Sequence, residues 1–524
     1  MNSAKIIHLV RSMKHASALI PWGLGLCVAL LYLCFHTTFY NFDGVACAIA
    51  VELGDLRHLT HGNHLAYGLL GWSWTGIWRL LGFTGPALLC LQVLNSLLGG
   101  LGAGLFCRFL LRRLKASPGT AICASAGLAL SYAWWFWSLE AQVYILGAVF
   151  LILAADAAWA QEPKPWLTGF YTGAAILGHV GNAMFLFCAL YLLHRPGRTR
   201  RLWSRYGAAL ALTVLASYAA AARWCVHPRD LEDWRVWLLG SAALSLDRSF
   251  IWFSADTTAQ SMLDWLTMTL RIFVDPVGLS RPWSGLGWIL GGLPLAAAAA
   301  GLWRWTRDAK AALLWLGGYA LLFRSWQPFT MVYRITDLAA LWLFIALWAA
   351  TAPWRSRALA GWALAIGLFN GVFLIQPQTD PARNAAYQEA LRIAQDTPEQ
   401  AWVVVMARDQ VYIPYFAGRR PLNLRYFEGR PEALSRRLQE LSSLGSPVFI
   451  TATNLRVNSW KDFFLGYDLQ EAGGPGAGIY RIGIKGNPNG SRQKKLNTAP
   501  AARKGPNGTG SPMRNSPRAT RPTP

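Results

Sequence analysis

The sequence predicts a polytopic all-α membrane protein that carries a small extracytoplasmic α/β domain near its C-terminus. Three observations predict it. Hydrophobic residues make up 54% of the 524 residues and charged residues only 14%, against about 25% in an ordinary soluble protein. Mean hydropathy is +0.27 although the region after Gln376 is visibly polar, so the part before it is more apolar than the mean. The formal charge of +23 falls in short clusters between apolar runs, where positive charge sets membrane orientation. That placement, with a tail from Gly486 to Pro524 holding eight Lys/Arg and no acid, argues against a nucleic-acid partner.

The first apolar run, Ala18 to Phe39, follows Lys5, Arg11 and Lys14. It is too long for a signal-peptide core and has no small-residue cleavage site, so it is expected to stay as an anchor with the N-terminus cytoplasmic. His64 to Gly82 carries Trp72, Trp74, Trp78 and Arg79 in a helical pattern, which suits an amphipathic helix lying in the interface. If that helix lies flat, Arg112, Arg113 and Lys115 fall inside; if it spans, they fall outside. The flat reading satisfies the charge rule.

The remaining spans are expected at 85–111, 120–138, 141–160, 166–178, 180–193, 206–224, 284–303, 310–326, 334–351 and 355–376. The pair 166–193 is one run interrupted at Gly178-His179-Val180-Gly181, read as two short helices meeting at a break. With eleven spans the cytoplasmic segments collect 18 Lys/Arg against two acids, Glu162 and Asp308. The external segments are then 40–84, 225–283 and everything after about 377. Residues 1–376 form the transmembrane region and 377–485 the outer α/β domain, with expected strands at Ala401–Ala407 and Pro447–Ala452 around a helix at Pro431–Leu444. Residues 486–524, rich in Gly, Pro, Asn, Ser and basic side chains, are read as a disordered basic tail.

None of the eight cysteines lies in the C-terminal region or forms a CxxC pair, so neither a zinc site nor a disulfide framework is indicated. Chemistry concentrates instead on the outer face. Asp43, in Tyr40-Asn-Phe-Asp43-Gly-Val, lies about one turn beyond the first span, where an acid is costly to keep and serves a function or caps the following helix. Glu140 arises independently in the turn between two spans, after the aromatic run Trp134–Trp137. The two acids could share general-base work or a divalent metal ion; otherwise no cofactor is called for. His58, His61 and His64 follow an i, i+3, i+6 pattern that drifts around a helix, so His61 or His64 suits a hydrogen bond to phosphate better than zinc. Arg324 and Arg334 flank an external turn and can serve an anionic lipid ligand or snorkel to headgroups. His179 sits at the helix break, facing a cavity or packed.

These motifs resemble the membrane-embedded GT-C glycosyltransferases, in particular the protein O-mannosyltransferase-like branch that includes bacterial multispanning proteins. Phe42-Asp43-Gly44 after a first anchor, with an interfacial helix before the second span, is similar to their first loop. Glu140-Ala-Gln-Val-Tyr144 resembles their acid-x-x-Val-Tyr turn, Gly169 to His179 their Gly-rich fifth helix, and Trp326-Gln-Pro328 with Tyr333 their late Trp-x-Pro turn. Two departures stand: Gly44 follows Asp43 where such enzymes commonly have a second acid, and His61-Gly-Asn-His64 replaces a His-Pro-Pro-Gly-like segment.

The resemblance implies an inverting glycosyltransferase that moves a sugar from a polyprenyl-phosphate-linked donor to a protein, lipid or glycan acceptor on the outer face. It implies Asp43 orienting or deprotonating the acceptor, Glu140 assisting or holding a cation, and Arg324, Arg334 or His179 neutralising the leaving phosphate, with the outer domain helping to bind the acceptor. Without the resemblance, a lipid-linked glycan transporter or flippase, or a non-catalytic envelope assembly protein, fits the same composition. Alanine, arginine and tryptophan richness points to a bacterial inner membrane, with the outer side periplasmic.

Overall fold

The computed structural model describes residues 19–239, 258–406, 409–456, 458–474 and 476–484. The basic N-terminal segment, part of the loop 225–283 and the C-terminal tail therefore lie outside the described residues. The chain divides into two compact units, one formed by residues up to 395 with 407–421, the other by 396–406 with 422–524.

The larger unit is helical. It begins with α1 (Leu19–Leu33), α2 (Phe42–Leu53), α3 (Leu56–Leu59) and α4 (Leu65–Leu80), followed by α5 (Ala87–Arg113). At 1.5 Å per residue the 16 residues of α4 reach about 24 Å, short of the hydrocarbon thickness, and Trp72, Ile77 and Leu80 are exposed along it. Helices α6 (Pro118–Leu130) and α7 (Tyr132–Leu139) are bent by 59° at Ser131. There the Ser131 hydroxyl donates to the Gly127 carbonyl and accepts from Trp342 Nε1. Next come α8 (Tyr144–Ala158), α9 (Pro165–Gly178), α10 (Leu186–Leu193), α11 (Thr199–Ala221) and α12 (Leu231–Leu239). The unit continues with α13 (Thr258–Arg271), α14 (Arg281–Leu302), α15 (Arg307–Ser325), α16 (Ile335–Ala349) and α17 (Pro353–Phe369).

Among the described residues, five helices are long and apolar enough to cross a membrane, or six if the bent α6–α7 pair is one span. The sequence reading expected eleven. The difference is one of length: Leu19–Leu33, Tyr144–Ala158 and Val180–Leu193 are apolar helices of 10–17 residues, shorter than the roughly 20 that a straight crossing needs. The spans are of two kinds. Helix α5 and the stretch Met331–Ala349 bury 72% and 78% of their apolar windows within the protein, whereas Thr199–Val226 buries 22%. Leu212 and Leu215 stand exposed on that last helix, so its apolar surface requires a hydrocarbon surround. The chain is an integral membrane protein.

The expected break at Gly178–Gly181 is present. Helix α9 stops at Gly178, His179 is extended (φ −165°, ψ 129°), and a 3₁₀ turn covers Val180–Phe185. Gly178 lies against Gly147 of α8, where an added Cβ would come 3.1 Å from backbone. Asp156 of α8 pairs with Arg113 at 2.7 Å and Arg108 at 3.4 Å, so part of that basic cluster is neutralised within the fold.

The smaller unit holds a sheet of order β2-β1-β3-β5-β4, with β1 (Trp402–Val405), β2 (Arg420–Asn423), β3 (Val448–Thr451), β4 (Asp468–Ala472) and β5 (Ile479–Gly483). β1 and β3 are parallel and β3, β5 and β4 antiparallel. The helix Pro431–Ser443 places Leu434, Leu438 and Leu441 against Val404, Val448 and Ile450, the i, i+4, i+7 face that its sequence announces.

Candidate active site

Two cavities open near α2. The larger, about 1150 Å³, includes Glu52, but that carboxylate is committed: its Oε1 accepts the Ala87 N–H at 2.8 Å, at the start of α5, and the Tyr415 hydroxyl at 2.9 Å. The smaller, about 380 Å³, brings Asp43, His61, His64 and His179 to one lining with Tyr144, Trp326 and Tyr333.

Asp43 is the second residue of α2. The cap is Asn41, whose Oδ1 accepts the Asp43 N–H at 3.0 Å. Asp43 therefore has no capping duty, although a carboxylate in a first helical turn is favoured by the helix dipole. The side chain is open to the cavity but ringed by protein, and burial raises its carboxyl above the ordinary value despite a lowering contribution from Gln142.

Glu140 is fully buried and faces a different task. Its Oε2 accepts the Asn41 N–H at 3.0 Å, and Gln142 Nε2 donates to Asn41 Oδ1 at 2.9 Å. The turn 140–143 thus grips the residue that starts α2. Burial pushes the Glu140 carboxyl up to about 8, against the lowering effect of the Asn41 N–H and the Thr37 hydroxyl. Asn95 of α5, fully buried, clamps the same turn by donating to the Glu140 and Gln142 carbonyls at 2.5 and 2.7 Å. At Gly44 an added Cβ would stand 3.2 Å from the Ala141 carbonyl oxygen, so the turn occupies the room that a second acid after Asp43 would need.

The histidines are ordered by their neighbours. His61 Nδ1 accepts the Asn63 N–H at 3.2 Å and His179 Nδ1 accepts the Gly181 N–H at 3.1 Å, which in the neutral ring leaves the proton on Nε2. His64 stacks on His61 with centroids 4.3 Å apart. Burial lowers both loop imidazoles, His64 furthest. His58 also lines the cavity but pairs with Asp55 at 2.9 Å. The loop is held down at Gly68, where a Cβ would lie 2.2 Å from the Leu59 carbonyl oxygen. An aromatic wall completes the cavity: Trp326 stacks on Tyr333 at 4.8 Å, His179 on Trp326 at 6.3 Å, and Tyr144 meets Tyr333 edge-on at 5.4 Å.

The overall backbone is similar to ArnT from Cupriavidus metallidurans bound to undecaprenyl phosphate, with a TM-score of 0.61, 11% identity, and coverage of 89% of this chain and 97% of that one. ArnT in the apo state gives 0.59 and 12%, covering 90% and 98%. The fold is that of the ArnT structures. The Archaeoglobus fulgidus oligosaccharyltransferase tethered with an acceptor peptide is matched at 0.48 and 11%, over 88% of this chain and 74% of that one. No family model matches the sequence, and no curated protein matches it at a significant level.

Within this ArnT-like fold the remaining expected site residues stand apart. Arg334 is fully buried and used internally: its Nε donates to Asp337 at 2.9 Å, its terminal nitrogens to the Trp265 carbonyl at 3.1 Å and Thr269 Oγ1 at 2.9 Å. Arg324, half-buried near the end of α15, does not line the Asp43 cavity. Among the described residues no group of three or more His, Cys, Asp or Glu is arranged to hold a metal ion. A cation shared by Asp43 and Glu140 does not fit, because Glu140 is turned onto the Asn41 backbone and does not line the cavity. Sequence reasoning missed Asn41, Asn95 and Gln142; the readable signal was Asn95 itself, an amide inside an otherwise apolar run.

Proposed function

We propose that the chain is an integral-membrane inverting glycosyltransferase that moves a sugar from a polyprenyl-phosphate-linked donor to a hydroxyl acceptor on the outer face of the membrane. The observation that carries this reading is the Asp43 cavity: a carboxylate open to the space, two histidines presenting Nε2–H, and an aromatic wall, all in one lining. The ArnT structure holding undecaprenyl phosphate supports a lipid phosphate as the donor class.

In this reading the acceptor hydroxyl gives its proton to Asp43 as its oxygen bonds to the anomeric carbon. The bond from that carbon to the phosphate oxygen breaks, and its electron pair leaves with polyprenyl phosphate. A single displacement inverts the anomeric centre. A base whose pKa is raised toward the working pH is worth roughly 10²–10⁴-fold. His61 and His179 donate N–H to the phosphate as its charge grows, and such donors count for more in a water-poor site. Trp326 and Tyr333 offer a face on which a sugar ring stacks. Glu140 acts as a positioning residue, holding Asn41 and through it the start of α2. Arg324 remains the candidate for a headgroup contact, whereas Arg334 braces α13 against α16. The eleven-span topology, the bacterial inner membrane, an outer α/β domain over 377–485 that helps bind the acceptor, and the basic tail complete the proposal.

Mass spectrometry of envelope glycans and glycoproteins from a deletion strain carrying wild type, Asp43→Asn or nothing tests it. The expected result is a sugar unit missing from both the null and the Asp43→Asn strain, with the variant expressed and as heat-stable as wild type. If Asp43→Asn restores a glycan that the null loses, transfer by Asp43 is wrong, and the transporter or assembly reading replaces it.

A further inference from the structure

Among the described residues, no lysine or arginine lines the Asp43 cavity. Arg57, exposed on α3 beside His58, Arg223, exposed on the turn after α11 that packs against α3, and Arg324, two residues before Trp326, are not in the lining. A phosphodiester placed there would put its charge beside the Asp43 carboxylate in a poorly solvated space, where like charges disfavour one another strongly. Neutrality then requires a proton.

The titratable groups facing that space are Asp43 and Cys47 on α2, His58, His61 and His64 on the loop before α4, Tyr144 on α8, His179 at the helix break and Tyr333 before α16. Geometry sorts them. His61 and His179 have Nδ1 taken by a backbone N–H, so protonating either ring there would break that bond and orphan the amide. His58 is held by Asp55. His64 has no backbone N–H on either ring nitrogen among the described residues, and it stacks on the neutral His61 ring.

We propose that the cavity binds its lipid phosphate together with one proton, taken up on His64, while His61 and His179 serve as neutral N–H donors. This rests on the reading that a polyprenyl-phosphate donor occupies the cavity. The step balances: neutral imidazole, phosphodiester monoanion and one solvent proton give an imidazolium–phosphate pair. When the sugar departs, the phosphate gains a second negative charge and the imidazolium is in place to compensate it. Burial holds the His64 ring neutral while the cavity is empty, so the positive charge arises only with the anion.

Isothermal titration of the purified full-length chain in detergent, with methyl farnesyl phosphate as probe, tests this. The probe is a phosphodiester and does not itself titrate between pH 6 and 8, unlike a phosphate monoester, whose second pKa is about 6. Affinity is expected to fall as pH rises, approaching about tenfold per unit for one proton. Comparing buffers of low and high ionisation enthalpy should count an uptake near one proton in wild type. His64→Asn and His64→Gln should bring that count near zero, whereas His61→Asn should weaken binding at every pH and leave the count unchanged. Uptake that survives in both His64 variants, or that vanishes only in Asp43→Asn, overturns the assignment. Binding without pH dependence overturns the proton linkage while leaving the donor reading standing. Absence of binding at every pH, for this probe and for farnesyl phosphate, overturns both.

Discussion

At the scale of single residues, the two outer acids divide their work because their surroundings differ. Asp43 stands open in a cavity with its own backbone N–H satisfied by Asn41; Glu140 is sealed in and spends an oxygen on the Asn41 N–H. The buried carboxyl has a consequence for stability. Its value of about 8, against 4.5 for an ordinary glutamate, means that between those values the folded chain holds a proton that the unfolded chain has released. Folded protein therefore binds more protons across that interval, and stability falls as pH rises through it. Replacing Glu140 by Gln keeps an oxygen for the Asn41 amide and removes the titration. The thermal midpoint of Glu140→Gln should then vary less than that of wild type between about pH 5 and 8. Equal pH slopes for the two proteins would count against this account.

At the scale of elements, the site depends on two short pieces of backbone being held in place. One is the turn 140–143, pinned by Asn95 to α5 and packed on Gly44 of α2. Removing the amide takes a donor from two buried carbonyls, of which the Glu140 carbonyl keeps the Gln142 N–H at 2.9 Å; losing such a buried bond costs about 1–3 kcal/mol. Asn95→Ala is thus expected to lose about 1–3 kcal/mol in denaturant unfolding, and to lower the turnover number more than it changes donor KM, because it loosens the start of α2. The other is the loop between α3 and α4, where Gly68 lets α4 approach the Leu59 carbonyl. Gly68→Ala cannot be absorbed by a rotamer change, since its neighbour is backbone, so the histidine loop must shift. A measurable drop in melting temperature with weakened donor binding is the expected outcome; wild-type behaviour in both would show that the loop has slack.

At the scale of the whole molecule, burial separates central from peripheral helices. Helix α5 and the stretch Met331–Ala349 are mostly enclosed by protein, whereas Thr199–Val226 shows an apolar surface outward. That is the arrangement expected where lipid rather than water is the surrounding solvent, because lipid-facing apolar side chains incur no hydration penalty. The proposed topology puts the chain after Gln378 outside the cytoplasm. A reporter fused after Gln378 that is active only outside the cytoplasm should therefore be active; activity from a cytoplasm-specific reporter at the same point would reverse the assigned face of both acids.

The sequence by itself determined the class of the molecule, the helix break at His179, the strand–helix–strand core of the smaller unit and the residue types of the cavity. Those features follow from local composition and periodicity: long apolar runs, a Gly-His-Val-Gly interruption, alternating Leu at helical spacing, and acids or histidines where polarity is costly. Tertiary structure decided the rest. Only folding could show that Asn41 rather than Asp43 caps α2, that Glu140 grips a backbone amide from a residue 99 positions away, and that Arg334 is spent on Asp337. The number of helices long enough to cross a membrane also depended on where each helix ends, not on the apolar run alone. The physical reason is common to all of these: a polar group's role is set by the partner that satisfies it, and in a bundle that partner lies on another helix.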